Sequence, residues 1–185
     1  MTDRFFTNYF ELMNQSIQSV DYASLQDTAD RIRKVSSGGK KIILVGNGGS
    51  AAMASHVAVD FTKAAEVRAI NFNEADLLTC FANDYGYERV FEKAVKFYGN
   101  VGDLLILISS SGNSENVLNA ARRAKELGMG IITFSGFERD NPLRQLGEIN
   151  FWVDSKAYNI VEMTHHIWLL AIVDYIIGNI EYPAS

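Results

Sequence analysis

Four short apolar runs, the first three set off from one another by helical stretches, restrict what this chain can fold into more than any other feature. Lys40-Lys41 lead into Ile42-Ile43-Leu44-Val45, and comparable runs return at Leu104 to Ile108, Gly130 to Phe134 and Ile149 to Val153. A β-branched run of this length, apolar on both faces and bounded by glycines, reads as a parallel strand covered from both sides. Helical stretches lie between, at Ser50 to Lys63, Arg89 to Tyr98 and Ser114 to Leu127, the last closed by Gly128 at the C-cap position. A weaker strand, Val67 to Phe72, fills the first gap. Ahead of the first strand, Phe6, Tyr9, Phe10, Met13, Ile17 and Val20 recur at three and four residues, and Leu25, Ile32 and Val35 extend the pattern into a second helix. Strands and helices in alternation predict an α/β fold: a five-stranded parallel sheet flanked by helices on both faces, with right-handed crossovers and N-terminal helices.

The 185 residues suit one domain over 1–185, large enough to bury a core without disulfides or structural metals. Cys80 is the single cysteine, and the N-terminus lacks a basic region followed by an apolar run, so a reducing cytoplasm is the expected compartment. The longest apolar run, Ile167 to Val173, is shorter than the roughly 20 residues of a membrane span, which argues against a membrane protein. A net charge of −5 without a basic cluster leaves no footprint for nucleic acid. The final segment, Ala157 to Ile180, is apolar on nearly every face apart from Glu162, His165, His166 and Asp174, which predicts a subunit interface.

Two loops join strand to helix where an open parallel sheet binds its ligands, beyond the carboxyl ends of the strands. In Gly46-Asn47-Gly48-Gly49-Ser50 the glycines let backbone approach a ligand while free N–H groups face an anion. In Ser109-Ser110-Ser111-Gly112-Asn113-Ser114, hydroxyls and amides together can surround a phosphate without a lysine. Gly46, Gly48 and Ala51 also fit the dinucleotide spacing G-x-G-x-x-G/A, with Glu74 and Asp76 near the place of its acid. The second loop duplicates the phosphate-binding role, and the triphosphate motif G-x-x-x-x-G-K-[ST] is absent, so a small monophosphate suits the pair better.

The loops GNGGSAA and SSSGNSENV, with Ala82-Asn83-Asp84-Tyr85-Gly86-Tyr87-Glu88 and Ala124 to Met129, resemble the sugar isomerase (SIS) domain, and within it the sedoheptulose 7-phosphate (phosphoheptose) isomerases. The resemblance implies a flavodoxin-like three-layer fold and a homotetramer with active sites at subunit contacts. It also implies that Ser109, Ser110, Ser111 and Ser114 cradle the phosphate, with Asn47, Gly48, Ser50, Asn113 and Asp84 as further substrate contacts.

Aldose–ketose isomerisation needs a base beside a carbon and an acid near the oxygens. The heptose enzymes take these from a histidine and a glutamate four residues apart on the helix after the first loop, and from a glutamine and a histidine eight apart on a late helix. This chain has His56, then Asp60 on the same helical face, an acid one methylene shorter. On the late helix Val161 stands where the family has glutamine and Leu169 where it has histidine. His165, one turn before Leu169, is the candidate replacement, making Asp60 and His165 the expected catalytic pair. The family's residues bind zinc in some members, and His56, Asp60 and His165 are the candidate zinc ligands here. A non-catalytic sugar-phosphate sensor or protein-binding adaptor of the same fold is the alternative.

Overall fold

The computed structural model describes residues 2–182. Two helices open the chain, α1 (Thr2–Gln18) and α2 (Tyr22–Ser37). The second is capped by Asp21, whose carboxylate accepts the free N–H groups of Ala23 and Ser24. There follow β1 (Ile42–Gly46), α3 (Gly49–Lys63), β2 (Ala69–Asn71), α4 (Ala75–Tyr85), α5 (Val90–Tyr98), β3 (Leu104–Ser109), α6 (Glu115–Glu126), β4 (Gly130–Ser135), β5 (Ile149–Trp152) and α7 (Tyr158–Ile177). Single 3-10 turns at Tyr87–Arg89 and Leu143–Gln145 complete the course.

All five strands are parallel, in the order β2-β1-β3-β4-β5. Side chains alternate across the pleat, so the continuous apolar runs feed two separate cores. Ile42, Leu44, Ile106, Ile108, Ile132 and Phe134 face one way, onto Ile32 of α2, Met53, Val57 and Phe61 of α3 and Trp168 and Ile172 of α7. Ile43, Val45, Leu105, Leu107 and Ile131 face the other, onto Val90, Phe91 and Val95 of α5 and Val117 and Ala121 of α6. Helix α1 lies outside this sandwich against α7, where the Trp168 indole donates to Ile17 O at 2.8 Å.

By length and composition α7 is apolar enough to cross a membrane. Here Ile160, Val161, Thr164, His165, Trp168, Leu169, Ile172 and Val173 are buried, so α7 serves as a core helix. Expectation and structure differ at α4, which the sequence pattern did not reveal as a helix and which buries no residue fully.

With strand order 2-1-3-4-5, the direction in which successive strands are added reverses between β1 and β3, and a crevice opens beyond their carboxyl ends. The glycine loop leaves β1 and the serine loop leaves β3, so the two flank that crevice.

Candidate active site

At the end of β1 the chain turns into α3 so tightly that a Cβ on Gly46 would meet the Ser50 side chain and backbone at 2.6 to 2.9 Å. Gly48, at φ +54° and ψ −121°, is the N-cap and brings no capping side chain. The serine loop is held from below by buried Asn141, whose amide donates to Ser135 Oγ, Gly136 O and Glu138 O. Gly112, at φ +64°, has no room for a Cβ because Asn141 fills the place. Ser109 Oγ and Ser114 Oγ lie 3.3 Å apart, and Ser114 stands at the N-cap of α6 without spending its hydroxyl on the helix. The Ser110 hydroxyl is buried and has no hydrogen-bond partner among the described residues.

Between the loops is a cavity of about 220 Å³ lined by Asn47, Ser50, Ile108, Ser109, Ser110, Ser111, Ser114, Tyr158 and Glu162. It combines hydroxyl donors, an unspent buried hydroxyl and the amino ends of α3 and α6, which suits a small oxyanion. The two sides are braced together. Asn47 and Asn116 exchange reciprocal amide hydrogen bonds, each 2.9 Å, and Tyr87 Oη donates to Asn47 Oδ1 at 2.8 Å.

Of the expected contacts, Asn47, Ser50, Ser109, Ser110, Ser111 and Ser114 come together in this cavity. Gly48, Asn113 and Asp84 are not among its lining residues. Asn113 folds back on Ser111, and Asp84 accepts from Asn83 at the end of α4.

The expected acid–base groups separate. His56 Nε2 lies 3.3 Å from Asp60 Oδ2, as the four-residue spacing on α3 requires. The ring beside His56 is His166, edge-on with centroids 4.9 Å apart, and not His165. Burial, then His56, lowers the His166 pKa, while Asp60 opposes the shift. His165 is wholly enclosed: Nε2 sits 2.9 Å from Ser135 O and the ring packs edge-on against Phe134. Desolvation brings its pKa down to about 4, so the ring is neutral and sealed from a diffusing substrate. The zinc expectation meets the same obstacle. His56, Asp60 and His165 do not converge, and among the described residues no group of three or more His, Cys, Asp or Glu gathers to hold a metal.

Glu162, one turn before His166 on α7, enters the cavity from the side opposite in sequence to both loops. Its carboxylate rests on Gly49, where a Cβ would collide with it, and burial raises its pKa from the ordinary glutamate value. Glu162, Tyr158, Asn116 and Tyr87 are the members of this site that residue patterns did not single out. For Glu162 the available signal was an acid at four-residue spacing from His166 in a mostly apolar helix.

Residues 5–136 match the family model of the SIS domain. The chain belongs to the SIS-domain family. This SIS protein is 35% identical over 178 residues to the phosphoheptose isomerase of Helicobacter pylori, covering 92% of this chain and 91% of that one. It is 33% identical over 172 residues to the phosphoheptose isomerase of Fusobacterium nucleatum, covering 89% and 88%. The solved phosphoheptose isomerase of Neisseria gonorrhoeae superposes with a TM-score of 0.86 at 30% identity, over 95% of this chain and 97% of that one. The family match ends at residue 136, before α7, so Glu162 and both late histidines lie outside it.

Proposed function

We propose that the protein is a sugar-phosphate isomerase that interconverts an aldose phosphate and its ketose, with a substrate like sedoheptulose 7-phosphate. The observation that carries this reading is the cavity at the sheet's switch point, where five serines and two helix amino ends meet a half-buried carboxylate. In it Ser50, Ser109, Ser110, Ser111 and Ser114 hold the phosphate, and Asn47 positions the glycine loop through Asn116. Likeness over nine-tenths of the chain to proteins named phosphoheptose isomerase supports the reaction class.

A homotetramer in the cytoplasm belongs to the same reading. Supporting it, Phe5, Phe6 and Phe10 of α1 and Met163, Ile167 and Tyr175 of α7 present large apolar side chains outward on neighbouring helices.

One observation favours a sugar-phosphate sensor or protein-binding adaptor instead. Val161 and Leu169, at the positions of the family's glutamine and histidine, are apolar and fully buried. Incubation with a panel of aldose and ketose phosphates in deuterated water separates the readings, because a working base exchanges the α-proton even at chemical equilibrium. Exchange is expected with at least one phosphosugar. Binding without exchange across the panel would replace the isomerase by the sensor.

A further inference from the structure

A second cavity lies at the opposite end of the sheet, where β1, β3 and β4 begin. Its volume is about 470 Å³, more than twice that of the serine-loop cavity and within the range of small-molecule sites. Leu104, the first residue of β3, lines it, while Ser109, the last, lines the serine-loop cavity. Five steps of about 3.3 Å along the strand separate the two by about 16 Å, so one phosphosugar does not span both.

The run Ser36-Ser37-Gly38-Gly39-Lys40-Lys41 shapes one wall. Gly38 N donates to Lys34 O, Gly39 N to Ser36 O and Lys40 N to Val35 O, so α2 ends by folding back on its last turn. Gly39 takes φ +69°, which glycine adopts without strain. Lys40 thereby returns to the helix turn that carries Lys34. Its stem lies along Gly102, where a Cβ would stand 3.4 Å from Lys40 Cε. Gly39 O, just past the helix, accepts from the Arg68 guanidinium. With donors on these carbonyls, the negative pole that an anion would otherwise meet at a helix carboxyl end is blunted.

Charge at this cavity is unbalanced. Asp103 is 2% exposed, and its carboxylate accepts the Lys41 ammonium and the N–H groups of Lys41 and Asn100, at 3.1 and 2.9 Å. Glu148 accepts the Arg31 guanidinium and the N–H of Ile131 at 3.2 Å. Both acids are thus engaged within the fold, whereas the ammonium groups of Lys34 and Lys40 have no partner among the described residues. Arg31, Lys34, Lys40 and Lys41 against Asp103 and Glu148 leave two positive charges in excess, on a chain whose net charge is −5. A local positive field on an acidic chain concentrates anions where the rest of the surface repels them. We propose that this cavity binds a small anion carrying two or more phosphate charges, up to the size of a nucleoside diphosphate, between Lys34 and Lys40. A single charge would leave one lysine unmatched. A phosphate presents three oxygens to ammonium groups arriving from different directions, which a planar carboxylate does not. The site stands whether or not the serine loop serves an isomerase.

The test is calorimetric titration with pyrophosphate, ADP and citrate in magnesium-free buffer. Pyrophosphate and ADP separate the phosphates from a nucleoside attached to them, and citrate supplies similar charge on carboxylates. The proteins are the unaltered chain, the double variant Lys34→Gln with Lys40→Gln, its counterpart with arginine at both positions, and Gly112→Ala, which disturbs the serine loop alone. A thermal midpoint accompanies each, and Lys34→Gln by itself, at an exposed position, serves if the double variant does not fold. Pyrophosphate or ADP is expected to bind the unaltered protein with a dissociation constant below about 1 mM. The glutamine pair should weaken this binding by at least about tenfold, the arginine pair should keep it, and Gly112→Ala should leave it in place. Binding of both phosphates weaker than about 1 mM would overturn the proposal, as would a loss of less than about tenfold in the glutamine pair. Binding that disappears in Gly112→Ala and survives in the glutamine pair would assign it to the serine loop instead. Citrate bound as tightly as pyrophosphate would overturn the choice of phosphate.

Discussion

His165 makes acid sensitivity of this fold calculable. The ring is fully buried and its pKa falls from 6.5 to about 4, mainly through desolvation, against a smaller opposing contribution from its bond to Ser135 O. Because the folded pKa lies below the unfolded one, the unfolded chain binds more protons between these values, and stability rises with pH across that window. The stabilisation is fully present above the unfolded value and is lost as pH falls toward the folded value. Between about pH 7 and about pH 5 the loss amounts to about 2 kcal/mol. In a chain of this length it should lower the melting temperature by about 4 to 8 °C. Urea unfolding at the two pH values, at one protein concentration, reads this directly for the natural protein and for His165→Gln. The glutamine amide can still donate to Ser135 O but does not titrate. The other titratable groups are common to both proteins, so the difference in pH dependence isolates His165. The variant is expected to lose about 2 kcal/mol of the natural protein's pH dependence over this interval. Equal dependence in the two would refute a buried neutral imidazole and reopen a functional role for this residue.

Glu92 offers a test of opposite sign. Arg89 and then Arg123 hydrogen-bond its carboxylate, and its pKa drops from 4.5 to about 2 despite burial. Its contribution is therefore present above about pH 4.5 and lost as pH falls through about 2. Allowing for screening at half-exposed Arg89, Glu92→Gln should cost about 2 kcal/mol in neutral-pH unfolding and uncouple α5 from α6, and a cost that persisted at about pH 2 would show that the charge is not its source. Gly112→Ala forces a side chain into a left-handed position already filled by Asn141. It should cost about 1 to 3 kcal/mol in thermal unfolding and weaken calorimetric sugar-phosphate binding by more than tenfold, whereas unchanged binding would detach the serine loop from the phosphate.

The strands were legible because β-branched runs such as Ile42–Val45 admit few other readings, and β1, β3, β4 and β5 begin where those runs begin. β2 shrank from the expected Val67–Phe72 to Ala69–Asn71, as an edge strand paired on one side has less to hold its ends. The two loops could be read from glycine and serine spacing, and the cavity between them follows from strand order. The orientation of α7 could not. A helix apolar all round carries no periodic signal of which face looks where, so the spacing from Leu169 singled out His165 without revealing that its face is the sealed one. Packing of α7 on Phe134 of β4 encloses His165 and leaves His166 beside His56.

The amide pair between Asn47 and Asn116 turns the mouth of the cavity into a single plate. Glycine loop and serine loop are registered against each other before any sugar arrives, so the entropy of bringing them together is lost during folding and does not weaken binding. On the proposed reading, a plate of this kind recognises the phosphate end alike on every sugar that carries one. Discrimination by chain length and stereochemistry then falls to what lies past its rim. The two asparagines are bound to change together or not at all, since each alone would leave the other's amide facing a partner that no longer answers.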